Sequence, residues 1–131
     1  MTGALGGVLV TSAARKLPLL NALRDAARRL DPGAVIVAAG VDREAPAQYV
    51  ADAFWTMPAI SALETDAVID ACRRFAVTAI LPTRDGELAF WAERKAALGE
   101  AGIAAIVSGP DAVRLCLDKL AFSQWGEREG L

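Results

Sequence analysis

Side chains able to hold an anion or orient a polar substrate gather in four short stretches of this 131-residue chain, each following an apolar run. The first, residues 11–16, carries Thr11, Ser12, Arg15 and Lys16 between such a run and a helical pattern. Amide groups at a helix start, with hydroxyls and a guanidinium beside them, can hold an anion. The stretch nevertheless lacks both the G-x-G-x-x-G fingerprint and the P-loop pattern, and its alanines would keep a pyrophosphate off the backbone. The second stretch holds Asp42, at the place where nucleotide-binding folds put a ribose acceptor; an ordinary loop aspartate is the plainer reading. In the third, Thr83, Arg84, Asp85, Gly86 and Glu87 crowd a strand-to-helix turn. Carboxylates there would stabilise a helix start. They would equally form a polar rim for an amino or hydroxyl group, leaving Arg84 to pair with a carboxylate or phosphate. The fourth stretch, Ser108 to Asp111, reads as helix capping. Lys119 then follows Asp118 at a further helix start, where a cation opposes the helix dipole and needs compensation, either from Asp118 or from a bound phosphate.

Composition removes many other chemistries. The chain has no histidine, which excludes every His-dependent triad and the commonest general base. Cys72 and Cys116 stand singly on apolar helix faces with no further ligand set, so a zinc site is not expected and both read as reduced core thiols of a cytoplasmic protein. Net charge is -2, and the paired basic residues Arg28, Arg29, Arg73 and Arg74 fall on polar helix faces, so no nucleic-acid partner is expected. Hydrophobic residues make up 54% of the chain, ample for a buried core, yet no apolar run approaches the roughly 20 residues that a membrane-spanning helix needs. Residues 1–10 carry no basic segment of the kind that opens a signal peptide.

The elements that must position these residues are legible from periodicity. Apolar runs at residues 7–12, 34–39, 77–81 and 103–107 read as buried strands, and residues 53–58 read as a short strand near an edge because Pro58 cannot donate to a ladder. Between them, 3.6-residue spacing places Leu19, Leu20, Leu23, Ala26, Ala27 and Leu30 on one helix, which Asp31, Pro32 and Gly33 stop. Val68, Ile69, Cys72, Phe75 and Ala76 share a face of a second helix, started either by a capping box of Ser61 and Glu64 or by Thr65 and Asp66. A third helix carries Leu88, Trp91, Ala92 and Leu98; a short fourth runs to about Leu117; and Asp118 caps a fifth that reaches Glu129. Strands alternating with helices imply right-handed βαβ units: a three-layer, Rossmann-like open parallel sheet with helices on both faces.

The order of these segments resembles the N-terminal, pre-ATP-grasp domain of ATP-grasp ligases similar to the carbamoyl-phosphate synthase large subunit. The resemblance is carried by VLVTSAARK at residues 8–16, QYVADAFWTMP at 48–58, AILPTRDGELAFWAE at 79–93 and VSGPDAVRLCLDKLAF at 107–122. It implies an enzyme that uses ATP and magnesium to phosphorylate a carboxylate and then joins the acyl phosphate to an amine or similar nucleophile. Residues 1–117 would be the pre-ATP-grasp domain and residues 118–131 the start of the ATP-grasp region. Thr11, Ser12, Arg15, Thr83, Arg84, Asp85 and Glu87 would then face the substrate, and Lys119 the nucleotide. Ala14 stands where relatives often have glycine, which argues against tight backbone contact there. The remaining phosphate and metal ligands would belong to a missing or separately encoded ATP-grasp domain, so the chain is expected to be catalytically incomplete and to bind no cofactor tightly alone. Leu120, Phe122 and Trp125 would be left exposed or packed in a homodimer. A stand-alone Rossmann-type module that binds a nucleotide or small metabolite is the alternative.

Overall fold

A computed structural model describes residues 4–131; residues 1–3, the start of the stretch scanned for a signal peptide, lie outside it. Five strands form a single sheet in the order β3-β2-β1-β4-β5: β1 is Gly7–Val10, β2 Val35–Gly40, β3 Ala53–Thr56, β4 Val77–Leu81 and β5 Ala104–Ala105. Every pairing is parallel. The expected α/β architecture is therefore the one adopted.

The alternation of side chains along the central strands divides the core in two. Leu9, Val37 and Ala39 face one side with Trp55, Val68, Cys72, Phe90, Trp91 and Leu98. Val10, Ile36 and Ala38 face the other with Leu20 and Ala27. Helix α1 (Leu17–Leu30) covers the second side, and α2 (Thr65–Arg74) and α3 (Asp85–Glu100) cover the first. Two more helices, α4 (Pro110–Leu117) and α5 (Lys119–Arg128), follow β5, with α4 packed on α3 and α5 on α4. No helix among the described residues is long and apolar enough to cross a membrane.

Three expectations need correction. The run at residues 103–107 yields only the two-residue β5, with Ile103 and Ala105 buried and Ala104 and Ile106 exposed. It is an edge strand, and the Val107 amide turns back to the Ala105 carbonyl at 3.0 Å, curling the chain away from β4. The capping box of Ser61 and Glu64 does not form. Residues Ile60–Ala62 make a 3-10 turn, α2 starts at Thr65, and no side chain caps it. The last turn of α2 also stops short of Ala76, which takes a φ of 54° and redirects the chain into β4.

The third correction concerns the cysteines. Cys72 is a core thiol, but Cys116 is exposed, because α4 buries only Val113 fully. Burial pushes the Cys72 thiol up to about 11. Its neutral form is thus favoured by the fold, so its contribution to stability is intact below about pH 9 and declines as pH rises from there through about 11. Thiol titration with a chromogenic disulfide should find Cys116 reacting rapidly and Cys72 only on unfolding. The thermal midpoint should fall between pH 9 and 11 by more in the parent than in Cys72→Ala; equal falls would refute the assignment.

Candidate functional site

The chain leaves β1 toward β2 on one side and reaches β4 on the other, so strand order reverses at the top of β1, where open α/β sheets bind ligands. Residues 11–16 lie there and are pinned from three directions. The Thr11 amide donates to the Leu81 carbonyl at 3.1 Å, the Ala13 amide to that of Ala39 at 3.1 Å, and the Ala47 amide to that of Ala14 at 3.0 Å. Within this loop Ser12 adopts a φ of 52°, a left-handed conformation uncommon outside glycine and costing on the order of 1 kcal/mol.

A buried carboxylate holds that conformation. Glu87, in the first turn of α3, is 0% exposed and accepts hydrogen bonds from the hydroxyls of Thr11 and Ser12, one on each oxygen. Thr83 closes the arrangement: its hydroxyl donates to the Thr11 carbonyl at 2.6 Å and accepts from the Lys16 ammonium at 2.9 Å, and Lys16 also donates to the Thr83 carbonyl. Five side chains from the tops of β1 and β4 thus form one network. Thr11, Thr83 and Glu87 belong to it as supports. The expected polar rim at Glu87 is instead an interior anchor, because helical periodicity turns this position of α3 toward the sheet while Arg84 and Asp85 stay exposed.

Beside this network opens a cavity of about 390 Å³, lined by Ser12, Ala14, Gly40, Val41, Met57, Ala59, Ile60 and Arg84. Of the residues expected to meet a substrate, Ser12 and Arg84 line it. Arg15 and Asp85 are exposed near its margin in sequence but do not line it. Arg84 has no ion-pair partner among the described residues. Gly40 is the narrow point of the wall: a Cβ there would stand 3.1 Å from the Ala14 Cβ. Asp42 accepts the Glu44 amide at 2.9 Å and so closes its own loop.

Lys119 sits elsewhere, exposed at the first position of α5, and Asp118 caps that helix by accepting the Ala121 amide at 3.0 Å. Among the described residues, no three His, Cys, Asp or Glu side chains come together as a metal site. Sequence reasoning missed the anchoring role of Lys16 and the wall made by Met57, Ala59 and Ile60. The wall follows from the same rule that located the other turns, since the loop after β3 also lies at the carboxyl end of a parallel strand.

Solved structures share this architecture. A Rhizobium etli pyruvate carboxylase bearing T882A, with acetyl coenzyme A as allosteric activator, superposes with a TM-score of 0.67 and 24% identity over 98% of this chain and 12% of its own. The biotin carboxylase domain of a single-chain bacterial carboxylase gives 0.64 and 22% over 95% and 29%. N5-carboxyaminoimidazole synthetase from Staphylococcus aureus, complexed with ADP, gives 0.61 and 15% over 95% and 30%. This chain therefore spans less than a third of each of these proteins. No curated protein sequence matches it.

The class that the fold defines is the Rossmann-like α/β domain with a five-stranded parallel sheet, which these neighbours share. Residues 8–106 match the family model described as PylC-like, N-terminal domain, and the chain belongs to that family.

Proposed function

We propose that this chain forms the substrate-side half of the active site of an ATP-grasp ligase, one that phosphorylates a carboxylate with ATP and couples the acyl phosphate to an amine or similar nucleophile. The supporting observation is the cavity at the reversal of strand order, with an unpaired guanidinium at its rim and a braced loop as its floor. Arg84 neutralises and orients the carboxylate, and Ser12 meets a polar group beside it. Arg15 and Asp85, exposed on the flanking turns, would meet the acceptor as it enters.

The residues present fit only a small part of an ATP site. Lys119, whose ammonium is exposed, would approach the nucleotide at the junction with an ATP-grasp region starting near residue 118. That region would hold the phosphates and magnesium, and its chemistry would be transfer of the γ-phosphoryl group to the carboxylate. Residues 11–16 are poorly suited to pyrophosphate, because the Ala14 side chain fills the approach beside Gly40.

The purified 131-residue chain should accordingly show no ATP hydrolysis above background and bind Mg·ATP no more tightly than millimolar. When it is joined to its ATP-grasp region, Lys119→Ala should raise the apparent KM for ATP about tenfold, and Arg84→Ala that for the carboxylate by a similar factor, as expected on losing a charge-assisted contact. Robust turnover by the 131-residue chain alone would overturn the assignment.

A further inference from the structure

The cavity wall is graded, and the sheet fixes the direction of the gradient. Its polar residues, Ser12 and Arg84, follow β1 and β4. Its apolar residues Val41, Met57, Ala59 and Ile60 follow β2 and β3. Because the strand order is β3-β2-β1-β4, the wall passes from a cationic end above β4 and β1, across Gly40 and Val41 above β2, to a purely apolar end above β3. Neighbouring strands lie about 4.8 Å apart, so the two ends are separated by roughly 14 Å.

Charge at the polar end has one sign. Among the described residues, Arg84 is the only ionisable one lining the cavity, and it has no ion-pair partner there. The Glu87 carboxylate is fully buried behind the Thr11 and Ser12 hydroxyls and does not line the cavity. The apolar end contains no polar side chain to satisfy a second charged or hydroxylated group, and burying such a group there would be unfavourable. A volume of about 390 Å³ is at the small end of the range for small-molecule sites.

We infer that the carboxylate substrate is a small monoanion with an unbranched or lightly branched apolar body, its carboxylate on Arg84 and its body lying over β2 toward Met57 and Ile60. The inference rests on the substrate-side reading above and adds to it the chemical class of the substrate. Val41, 64% exposed at mid-cavity, acts as the specificity-determining surface: apolar bodies cover it, and polar bodies leave it wet.

The test uses acetate, butyrate, hexanoate and octanoate as probes, with succinate and hexylammonium as controls, titrated into the isotopically labelled 131-residue chain and followed by amide chemical shifts. Affinity should rise about threefold per methylene from acetate to hexanoate, somewhat less than full burial would give. The shifts should spread from Ser12 and Arg84 to Gly40, Val41 and Ile60 as the probe lengthens. Val41→Ser, uncharged and at an exposed position outside both core clusters, should flatten the dependence on chain length; Arg84→Ala should weaken every carboxylate about tenfold.

Two failures are distinguishable. Equal binding of acetate and hexanoate, or a preference for succinate, with shifts still at the strand tops, would overturn the apolar class and leave the substrate-side reading standing. Shifts that avoid the strand tops for every probe, or hexylammonium binding as well as hexanoate, would overturn both.

Discussion

Trp91→Ala should destabilise the domain by about 3–5 kcal/mol and lower the thermal midpoint by on the order of 10–20 °C. Trp91 is 0% exposed in the middle of α3 and packs edge-on against Phe90, with ring centroids 4.9 Å apart and planes at 86°. It belongs to the cluster that also contains Leu9, Val68, Cys72 and Leu98, so removing the indole opens a void shared by the sheet and two helices. Typical domains hold only about 5–15 kcal/mol in total, so a loss of this size leaves the fold marginal. The indole Nε1 has no hydrogen-bond partner, and a buried unsatisfied donor carries a penalty of about 1–3 kcal/mol. Trp91→Phe removes that penalty while keeping most of the packing. It should therefore change stability by less than about 1.5 kcal/mol, far below the alanine variant. Urea denaturation of the three proteins decides the matter: phenylalanine and alanine variants of equal stability would mean that the ring's volume is not what holds α3 in place.

What the sequence disclosed about these elements depended on how local their causes are. Strand β4 is predicted residue for residue, because Val77 to Leu81 is a short β-branched run closed by Pro82, and proline ends a ladder through its own missing N–H. Asp118 was legible as a cap for the same reason: its carboxylate meets an amide only three residues away. Residues 103–107 failed because a run of apolar residues does not say whether one neighbour or two will flank it; only the strand order, a property of the whole chain, makes β5 an edge. Cys116 failed similarly. Its helical face is apolar, but among the described residues α4 turns only Val113 into the core and leaves Cys116 exposed.

The candidate site was legible to the level of its loops and no further. Residues 11–16 and 82–87 were identified as turns above the sheet, and the sheet brings them together across β1 and β4. Which side chains within them face a ligand depended on helix phase. Asp85 and Glu87 are two residues apart on α3, roughly 200° around its axis, so one carboxylate must point outward when the other points in. Periodicity could have singled out Glu87 as the inward one, since Trp91, fully buried, lies four residues on along the same face.

That inward carboxylate gives the second large effect expected: Glu87→Ala should cost about 2–4 kcal/mol and release residues 11–16 from their fixed conformation. The mechanism lies in what remains. Thr11, 0% exposed, would keep a hydroxyl proton with no acceptor, and Ser12 would lose the contact that offsets its left-handed backbone. Buried polar groups behave this way because leaving one half of a network unpaired costs more than removing the whole. The triple variant Thr11→Val, Ser12→Ala, Glu87→Leu takes out both donors and the acceptor together. It should be more stable than Glu87→Ala by at least about 1 kcal/mol, and Glu87→Gln, which keeps one acceptor oxygen, should fall between Glu87→Ala and the parent. Carboxylate probes should nevertheless bind the triple variant weakly, because the loop that carries Ser12 into the cavity would no longer be held by α3. Stability of the triple variant below that of Glu87→Ala would show that the network is needed for folding itself. The predicted order instead makes it a device that fixes one loop shape at the mouth of the site, at some expense to the domain beneath it.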